Sequence, residues 1–131
     1  MNKAMIFDGR GLTIEEYDGD SLEFLQKSVG GYIERIPLRS LDNKKIDMWC
    51  NENGKLIGLP LTLMLFYQGK ILDGIVGNVV FTKTNDDGDT ISLTEKDIKY
   101  IKKLFSESPR FKTENLTIQG LIGDLIKWNG F

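Results

Sequence analysis

The sequence of 131 residues contains no histidine, only one cysteine and only three prolines. Without histidine the chain lacks the commonest general base, the commonest neutral metal ligand and the usual switch near physiological pH. The single Cys50 permits neither an internal disulfide nor a multi-cysteine zinc site, which fits a reducing compartment. Because nucleophilic catalysis has no obvious pair of residues, we predict no enzyme activity, no metal and no cofactor.

Long apolar runs and a strong net charge are also missing. The longest apolar segment, Leu56 to Tyr67, contains Gly58 and Pro60 and is too short to cross a bilayer, so no membrane association is expected. The first residues show no apolar stretch followed by a small-residue cleavage site, so no signal peptide is expected. A formal net charge of -2 lacks the basic signature of nucleic-acid-binding proteins, so direct nucleic-acid binding is not favoured, although it stays open.

The pattern that is present predicts an α+β domain, with a mostly antiparallel sheet of about five to seven strands and about two to three helices. Its centre is a helix from Ser21 to Val29, a Gly30-Gly31 stop and an extended strand from Tyr32 to Leu38. Residues 1–108 are expected to form this single domain. Residues 109–131 are expected to form an amphipathic extension that packs on the domain or on a partner.

Hydrophobic periodicity and turn residues predict the other elements. Asn53-Gly54 predicts a hairpin whose return strand is Lys55 to Gly58. Pro60 suits the first turn of a short helix over Leu61 to Tyr67. Thr94 is placed to cap a long helix from Glu95 to roughly Ser106, with Ile98, Ile101, Leu104 and Phe105 as its buried stripe. The remaining predicted strands are 3–7, 12–17, 46–51, 75–82, which would be central, and 90–93.

Five polar or aromatic side chains are candidates for a ligand site. Tyr32 and Glu34 share one face of their predicted strand, Trp49 and Asn51 share one face of another, and Asn78 interrupts an apolar strand. If these faces meet, they would form a pocket for a planar ligand such as a base, with the amide and carboxylate groups at its edge. In the structural alternative, the two aromatic residues lie at the margin of the core and Asn78 caps an element or bridges strands.

A basic patch lies on and after the long helix. It comprises Lys99, Lys102, Lys103, Arg110 and Lys112. Such a patch could meet phosphates, but an amphipathic helix also normally exposes a charged outer face to water. The sequence leaves both interpretations open.

The C-terminal segment repeats apolar residues at helical spacing, and this pattern predicts an interface. Its members Leu121, Leu125, Trp128 and Phe131 would dock on the sheet, on a second copy of the chain in a homo-oligomer, or on another partner.

The run Asn85, Asp87 and Asp89 resembles half of a calcium loop. Thr90 and Lys96 stand where such a loop would need glycine and glutamate, so we predict a solvated turn there.

Four blocks of residues stand out as motifs. They are Ser21-Leu-Glu-Phe-Leu-Gln-Lys-Ser-Val-Gly-Gly-Tyr-Ile-Glu34, Asn51-Glu-Asn-Gly-Lys-Leu56 leading into Gly58-Leu-Pro-Leu61, Asp73-Gly-Ile-Val-Gly-Asn-Val-Val-Phe81 and Ser92-Leu-Thr-Glu95. Together they resemble a family of small, uncharacterised domains found largely in phages, plasmids and other bacterial mobile elements. The family pattern usually has asparagine where this chain has Thr62. If that amide serves a binding site in the family, Thr62 occupies a candidate binding position here without the amide.

The resemblance implies a mobile-element setting and, for some similar proteins, suppression of bacterial immunity. The leading hypothesis is therefore a non-enzymatic counter-defence protein in the cytoplasm of a bacterial host. It would bind a host defence protein, such as a CRISPR nuclease, or sequester a nucleotide-derived immune signal. The alternatives are a small regulatory or interaction module of a mobile element and a hydrolase of a nucleotide signal, which the missing histidine disfavours.

Overall fold

An antiparallel sheet forms the centre of the fold, in a computed structural model that describes residues 1–37, 39–67 and 70–107. The strands in these ranges are β1 (Asn2–Phe7), β2 (Leu12–Tyr17), β3 (Ile33–Arg35), β4 (Ile46–Asn51), β5 (Leu61–Tyr67), β6 (Lys70–Val76), β7 (Val79–Thr84) and β8 (Thr90–Ile91). Six of them form the main sheet in the order β2-β1-β7-β4-β3, with β8 paired to β7. The other two, β5 and β6, form a separate antiparallel ribbon.

The helices are α1 (Ser21–Val29), α2 (Arg39–Asp42) and α3 (Glu95–Glu107). The Asp20 carboxylate accepts a hydrogen bond of 2.9 Å from the Leu22 N–H, which caps the start of α1. Gly30 ends α1 with a φ of 78°, in the left-handed region that glycine enters without steric cost. The predicted helix from Ser21 to Val29 is therefore confirmed together with its glycine stop.

Side-chain alternation along the strands divides the core into two layers. On one face of the sheet, Leu25 and Val29 of α1 pack against Ala4 and Val80. On the opposite face, α3 covers a larger cluster that includes Phe81. The residues that α3 contributes are Ile98, Ile101, Leu104 and Phe105, so the predicted stripe of this helix is confirmed.

The predicted fold class is confirmed, because helices pack on a sheet whose strand pairs are antiparallel. Within the part of the chain that the structure describes, no helix has the length and apolar character needed to cross a membrane.

The helix predicted from Leu61 to Tyr67 is wrong, because this segment is strand β5. A short continuous apolar run fits a buried strand as well as a helix, and only its pairing partner decides between them. Here residues 70–76 return antiparallel to it and form β6. Pro60 precedes the strand, and its carbonyl accepts a hydrogen bond of 2.8 Å from the Gly77 N–H.

The return strand predicted from Lys55 to Gly58 is also wrong. The chain makes consecutive turns from Glu52 to Gly58, closed by a hydrogen bond of 3.0 Å from the Leu59 N–H to the Gly54 carbonyl. A type I′ hairpin would need positive φ at both central residues, and neither Asn53 nor Gly54 has one.

The strand predicted from Ile75 to Thr82 is interrupted. Gly77, with a φ of 75°, and Asn78 separate β6 from β7. The second part is central as predicted, since β7 lies between β1 and β4.

The strand predicted from Tyr32 to Leu38 is shorter in the described residues, and β3 ends at Arg35. The Arg35 guanidinium donates to Asp42 at 2.8 Å and lies 3.5 Å from Asp47, which joins β3 to α2 and β4. The short helix α2 follows β3 and precedes β4, and the sequence had not predicted it.

Candidate functional site

The two predicted asparagines both lie at the C-terminal end of α1. The Asn51 amide donates to the Val29 carbonyl at 3.0 Å, and the Asn78 amide donates to the Ser28 carbonyl at 3.0 Å. The last carbonyls of a helix have no partner within the helix, so these amides supply the missing hydrogen bonds. The side chains that sequence reasoning assigned to a ligand edge are thus engaged with the backbone of α1.

Trp49 lies beside them on the α1 face of the sheet. Its indole N–H donates to the Thr82 hydroxyl at 2.8 Å, and its ring packs with the core layer under α1. This contact satisfies the polar end of an otherwise apolar side chain, as expected for a tryptophan at the margin of a core.

Tyr32 and Glu34 do not lie beside Trp49, Asn51 and Asn78. Glu34 pairs with Cys50 across β3 and β4, and the Cys50 thiol lies 3.9 Å from its carboxylate. Because successive residues of a strand point to opposite faces, Glu34 lies on the face opposite to Trp49 and Asn51. Tyr32 is 68% exposed. The sheet separates the predicted halves of the aromatic pocket, so the structure does not assemble it.

Thr62 is buried at the start of the β5–β6 ribbon. Its hydroxyl lies 2.8 Å from the Gly77 carbonyl and 3.1 Å from the Ile75 carbonyl, and its single proton serves one of them at a time. Its methyl group faces Gly9, where an added Cβ would lie 3.1 Å away. In this structure Thr62 joins the ribbon to the β1–β2 turn.

The predicted basic patch is part of a groove lined by α3, by Lys83 near the end of β7 and by Lys44 in the turn before β4. We call it the lysine groove; it has a volume of about 480 Å³ and is lined by Lys44, Lys83, Lys96, Asp97, Lys99, Tyr100 and Lys103. Of the predicted patch, Lys99 and Lys103 lie in the groove, and Lys102 is exposed outside its lining. Arg110 and Lys112 lie outside the described residues, as do the predicted interface residues Leu121, Leu125, Trp128 and Phe131.

Three lysines of the groove were missed by sequence reasoning. Lys96 could have been found, because it precedes Lys99 by three residues and so shares its helix face. Lys44 and Lys83 come from other elements, and only the pairing of Ile46 with Lys83 brings them to the groove. The groove thus depends on the sheet register, which the sequence alone did not provide.

Asp97 is the one acidic side chain among the lining residues, and it is buried. Its carboxylate accepts hydrogen bonds from the Thr94 N–H at 2.9 Å and the Thr94 hydroxyl at 2.8 Å, which form a capping box at the start of α3. Lys83 approaches the same carboxylate at 3.1 Å. Burial alone would raise the pKa of Asp97, but the hydrogen bonds from Thr94 and Lys83 together hold this pKa below its usual value.

Lys44 is held over the groove by a strained turn. Its ammonium lies 4.5 Å from the centroid of the Tyr100 ring, in a cation–π contact. The next residue, Lys45, has a φ of 58°, a left-handed conformation that costs a non-glycine residue about 1–2 kcal/mol. Hydrogen bonds of 2.9 Å from Lys83 to the Lys44 carbonyl and from the Thr84 N–H to the Lys45 carbonyl hold this turn.

Three lysines of α3 lie along one face of the helix. Lys96 and Lys99 are three residues apart, and Lys99 and Lys103 are four apart, so each pair of like charges costs the helix roughly 0.2–0.5 kcal/mol. The lysines do not occupy the last turn, where the helix dipole would favour them. With Lys44 and Lys83, the groove brings lysines from three parts of the chain together on one concave surface.

Within the described residues, no group of three or more His, Cys, Asp or Glu side chains is placed to hold a metal ion. A smaller cavity of about 170 Å³ is lined in part by Glu34, Cys50 and Lys55. The chemistry that the described residues support best is the binding of an anion in the lysine groove.

Comparison with known proteins places the chain in a family. Neither the curated proteins nor the solved structures gave a match. The family described as Domain of unknown function (DUF3846) matches residues 1–106, which include every residue that lines the lysine groove. The chain therefore belongs to the DUF3846 family.

Proposed function

We propose that this protein is a counter-defence protein of a phage or another bacterial mobile element, and that it sequesters a nucleotide-derived immune signal in the lysine groove. The observation that carries the proposal is the lysine groove itself. Five of the 17 basic residues line one groove, in a chain whose formal net charge is -2. The mobile-element and counter-defence setting rests on the sequence resemblance, and the anionic ligand rests on the groove.

The charge and size of the groove support a phosphate-bearing ligand. Five lysines against one aspartate leave an excess of four positive charges. Lysine binds phosphate as a compact point charge, and several lysines around one concave surface raise the local concentration of anions. The volume of about 480 Å³ falls within the range of roughly 300–1,000 Å³ that is typical of small-molecule sites.

Binding without turnover is the simplest chemistry for these residues. The lysines and Tyr100 can neutralise and orient an anion, whereas Asp97 is occupied by Thr94 and Lys83. Cys50, the single thiol, is buried on β4 at the other end of the strand from this groove's wall. We therefore propose a sponge, which holds its signal intact in the bacterial cytoplasm.

The test is a panel of bacterial defence systems challenged by phage, with and without the protein. We expect the protein to restore infection against a defence that depends on a nucleotide signal. The double variant Lys99→Glu/Lys103→Glu should lose this effect, and the matched surface variant Lys102→Glu should keep it. Failure to protect against every system in the panel would contradict the proposal.

A second measurement separates a sponge from an enzyme. The protein is incubated with a panel of cyclic and linear oligonucleotide messengers, recovered and denatured by heat, and the released nucleotides are analysed by mass spectrometry. A sponge returns its messenger intact. Recovery of a cleaved product would refute the non-enzymatic proposal and favour the hydrolase.

A second candidate function is the binding of a host defence protein. Leu56 and Ile57, in the turns after β4, are 87% and 61% exposed, which is unusual for two consecutive large apolar residues. Exposed apolar residues of this kind favour a protein interface. Under this alternative, Leu56→Asp/Ile57→Asp would abolish protection and co-purification with the target, while Lys99→Glu/Lys103→Glu would abolish neither.

A further inference from the structure

The lysine groove has a direction, because three of its lysines follow one face of α3. Lys96, Lys99 and Lys103 span seven residues of the helix, which corresponds to about 10 Å along its axis. Consecutive phosphates share one oxygen in a polyphosphate and are separated by a sugar in an oligonucleotide backbone, so a row of this length spans more than one phosphate of either chain. A single phosphate would occupy only part of the row.

The opposite wall of the groove adds charge at fixed positions. The Lys83 ammonium is held 2.9 Å from the Lys44 carbonyl and 3.1 Å from the Asp97 carboxylate. The hydrogen bond from Lys83 therefore fixes the backbone of residue 44 to the sheet. The lysines of α3 face these two residues across the groove. This arrangement favours a ligand that extends along the groove.

Tyr100 is the only aromatic side chain among the lining residues, and one face of its ring is already in contact with a cation. The Lys44 ammonium lies 4.5 Å from the ring centroid. A nucleobase stacked on that face would displace this contact. Base recognition by stacking, the usual sequence-tolerant device of single-strand binders, is thus disfavoured in the groove.

Resting on the proposed function, we infer that the lysine groove binds a linear chain of about three phosphates and reads its charge without reading its bases. The chain is either the polyphosphate of a nucleotide or the backbone of a short oligonucleotide. Both present consecutive phosphates to the same row of lysines. The protein would then accept signals that differ in base but share this phosphate chain.

The test is a calorimetric titration of the full-length protein with inorganic phosphate, pyrophosphate and tripolyphosphate at low salt. We expect tripolyphosphate to bind at least tenfold more tightly than phosphate, and its affinity to fall steadily as salt rises. Lys99→Glu should weaken tripolyphosphate binding at least tenfold. Lys102→Glu makes the same change of charge on the same helix outside the groove and should weaken it less than threefold.

The two sources are distinguished by competition against bound tripolyphosphate. Adenosine and guanosine triphosphates represent the nucleotide source, and adenine and thymine trinucleotides represent the backbone source. The two nucleoside triphosphates should compete equally well with each other, and so should the two trinucleotides, because the base does not contribute to binding. A tenfold preference for one base, equal affinity for phosphate and tripolyphosphate, or equal losses in Lys99→Glu and Lys102→Glu would overturn the inference.

The outcomes also separate this inference from the proposed function. Protection in the defence panel without tripolyphosphate binding would overturn the inference and leave counter-defence standing. Tripolyphosphate binding without protection against any defence would overturn the counter-defence proposal and leave the phosphate-chain site standing.

Discussion

Replacing Asn51 by alanine tests whether this residue stabilises the fold or contacts a ligand. The side chain makes two hydrogen bonds: its amide donates to the Val29 carbonyl at 3.0 Å, and its oxygen accepts from the Asn53 N–H at 2.8 Å. The first bond is buried, so its loss leaves an unsatisfied carbonyl that costs about 1–3 kcal/mol. The second bond is half-buried and contributes about 0.5–1.5 kcal/mol.

Together these losses predict that Asn51→Ala lowers the free energy of unfolding by about 2–4 kcal/mol. That is a large part of the roughly 5–15 kcal/mol that stabilises a typical domain. The assay is urea denaturation followed by far-ultraviolet circular dichroism. Asn53→Ala is the matched control, because it keeps the backbone N–H and removes only an exposed amide, so its effect should stay below about 0.5 kcal/mol.

Two results would refute this reasoning. If Asn51→Ala unfolds at the same urea concentration as the wild-type protein, the bond to the end of α1 contributes nothing. If Asn51→Ala keeps its stability but loses tripolyphosphate binding or protection in the defence panel, the residue acts at a ligand site, as the sequence had indicated.

Three further predictions concern α3 and the sheet. Since the pKa of Asp97 is lowered in the folded state, its contribution is present above about pH 4 and is lost as the pH falls through the folded-state pKa. Asp97→Asn should therefore cost about 1–2 kcal/mol at pH 7 and progressively less as the pH falls below about 4, by urea denaturation across this range; the same cost at every pH would contradict the lowered pKa of Asp97. Thr82→Val removes the acceptor of the Trp49 N–H and should cost about 1–2 kcal/mol; an unchanged midpoint would show that water replaces the hydroxyl. Lys99→Glu replaces the repulsion from Lys96 and Lys103 by attraction, against a new repulsion from Glu95, and should raise the free energy of unfolding by roughly 0.5 kcal/mol while it weakens tripolyphosphate binding at least tenfold; a lower free energy of unfolding would contradict the repulsion among these lysines.

Local signals in the sequence predicted α1 and α3. Both helices are specified by residues at their own ends, such as Asp20 and Thr94, together with an apolar stripe at helical spacing. The seven residues of β5, apolar except for Thr62, carry no such local signal. Their conformation depends on β6, which pairs with them in space, and the sequence of one segment does not contain its partner.

The polar residues of the predicted pocket illustrate a different limit. The sequence offered Asn51 and Asn78 as candidates for the edge of a ligand site, but a polar side chain in a strand has the same appearance whether its partner is a ligand or a backbone carbonyl. The partners here are 22 and 50 residues away, at the end of α1. Only the packing of α1 on β4 and β7 reveals them.

Only part of the lysine groove was predicted, because the sequence does not show which residues face α3. Lys99 and Lys103 share a helix face that can be deduced from their spacing, whereas Lys44 and Lys83 join them through the pairing of β4 with β7. A charged helix face and a charged groove differ in what stands opposite the helix. That difference is a tertiary property, and it turns an ordinary solvated face into a candidate anion site.

Amide chemical-shift mapping during a titration with tripolyphosphate would show whether the lysine groove binds an anion. We expect the largest shift changes in residues 96–103 and at Lys44 and Lys83, and we expect them to saturate and to vanish in Lys99→Glu/Lys103→Glu. Little change is expected around Asn51. Unchanged shifts of the α3 amides, or changes centred on Trp49 and Asn51, would contradict anion binding in the groove.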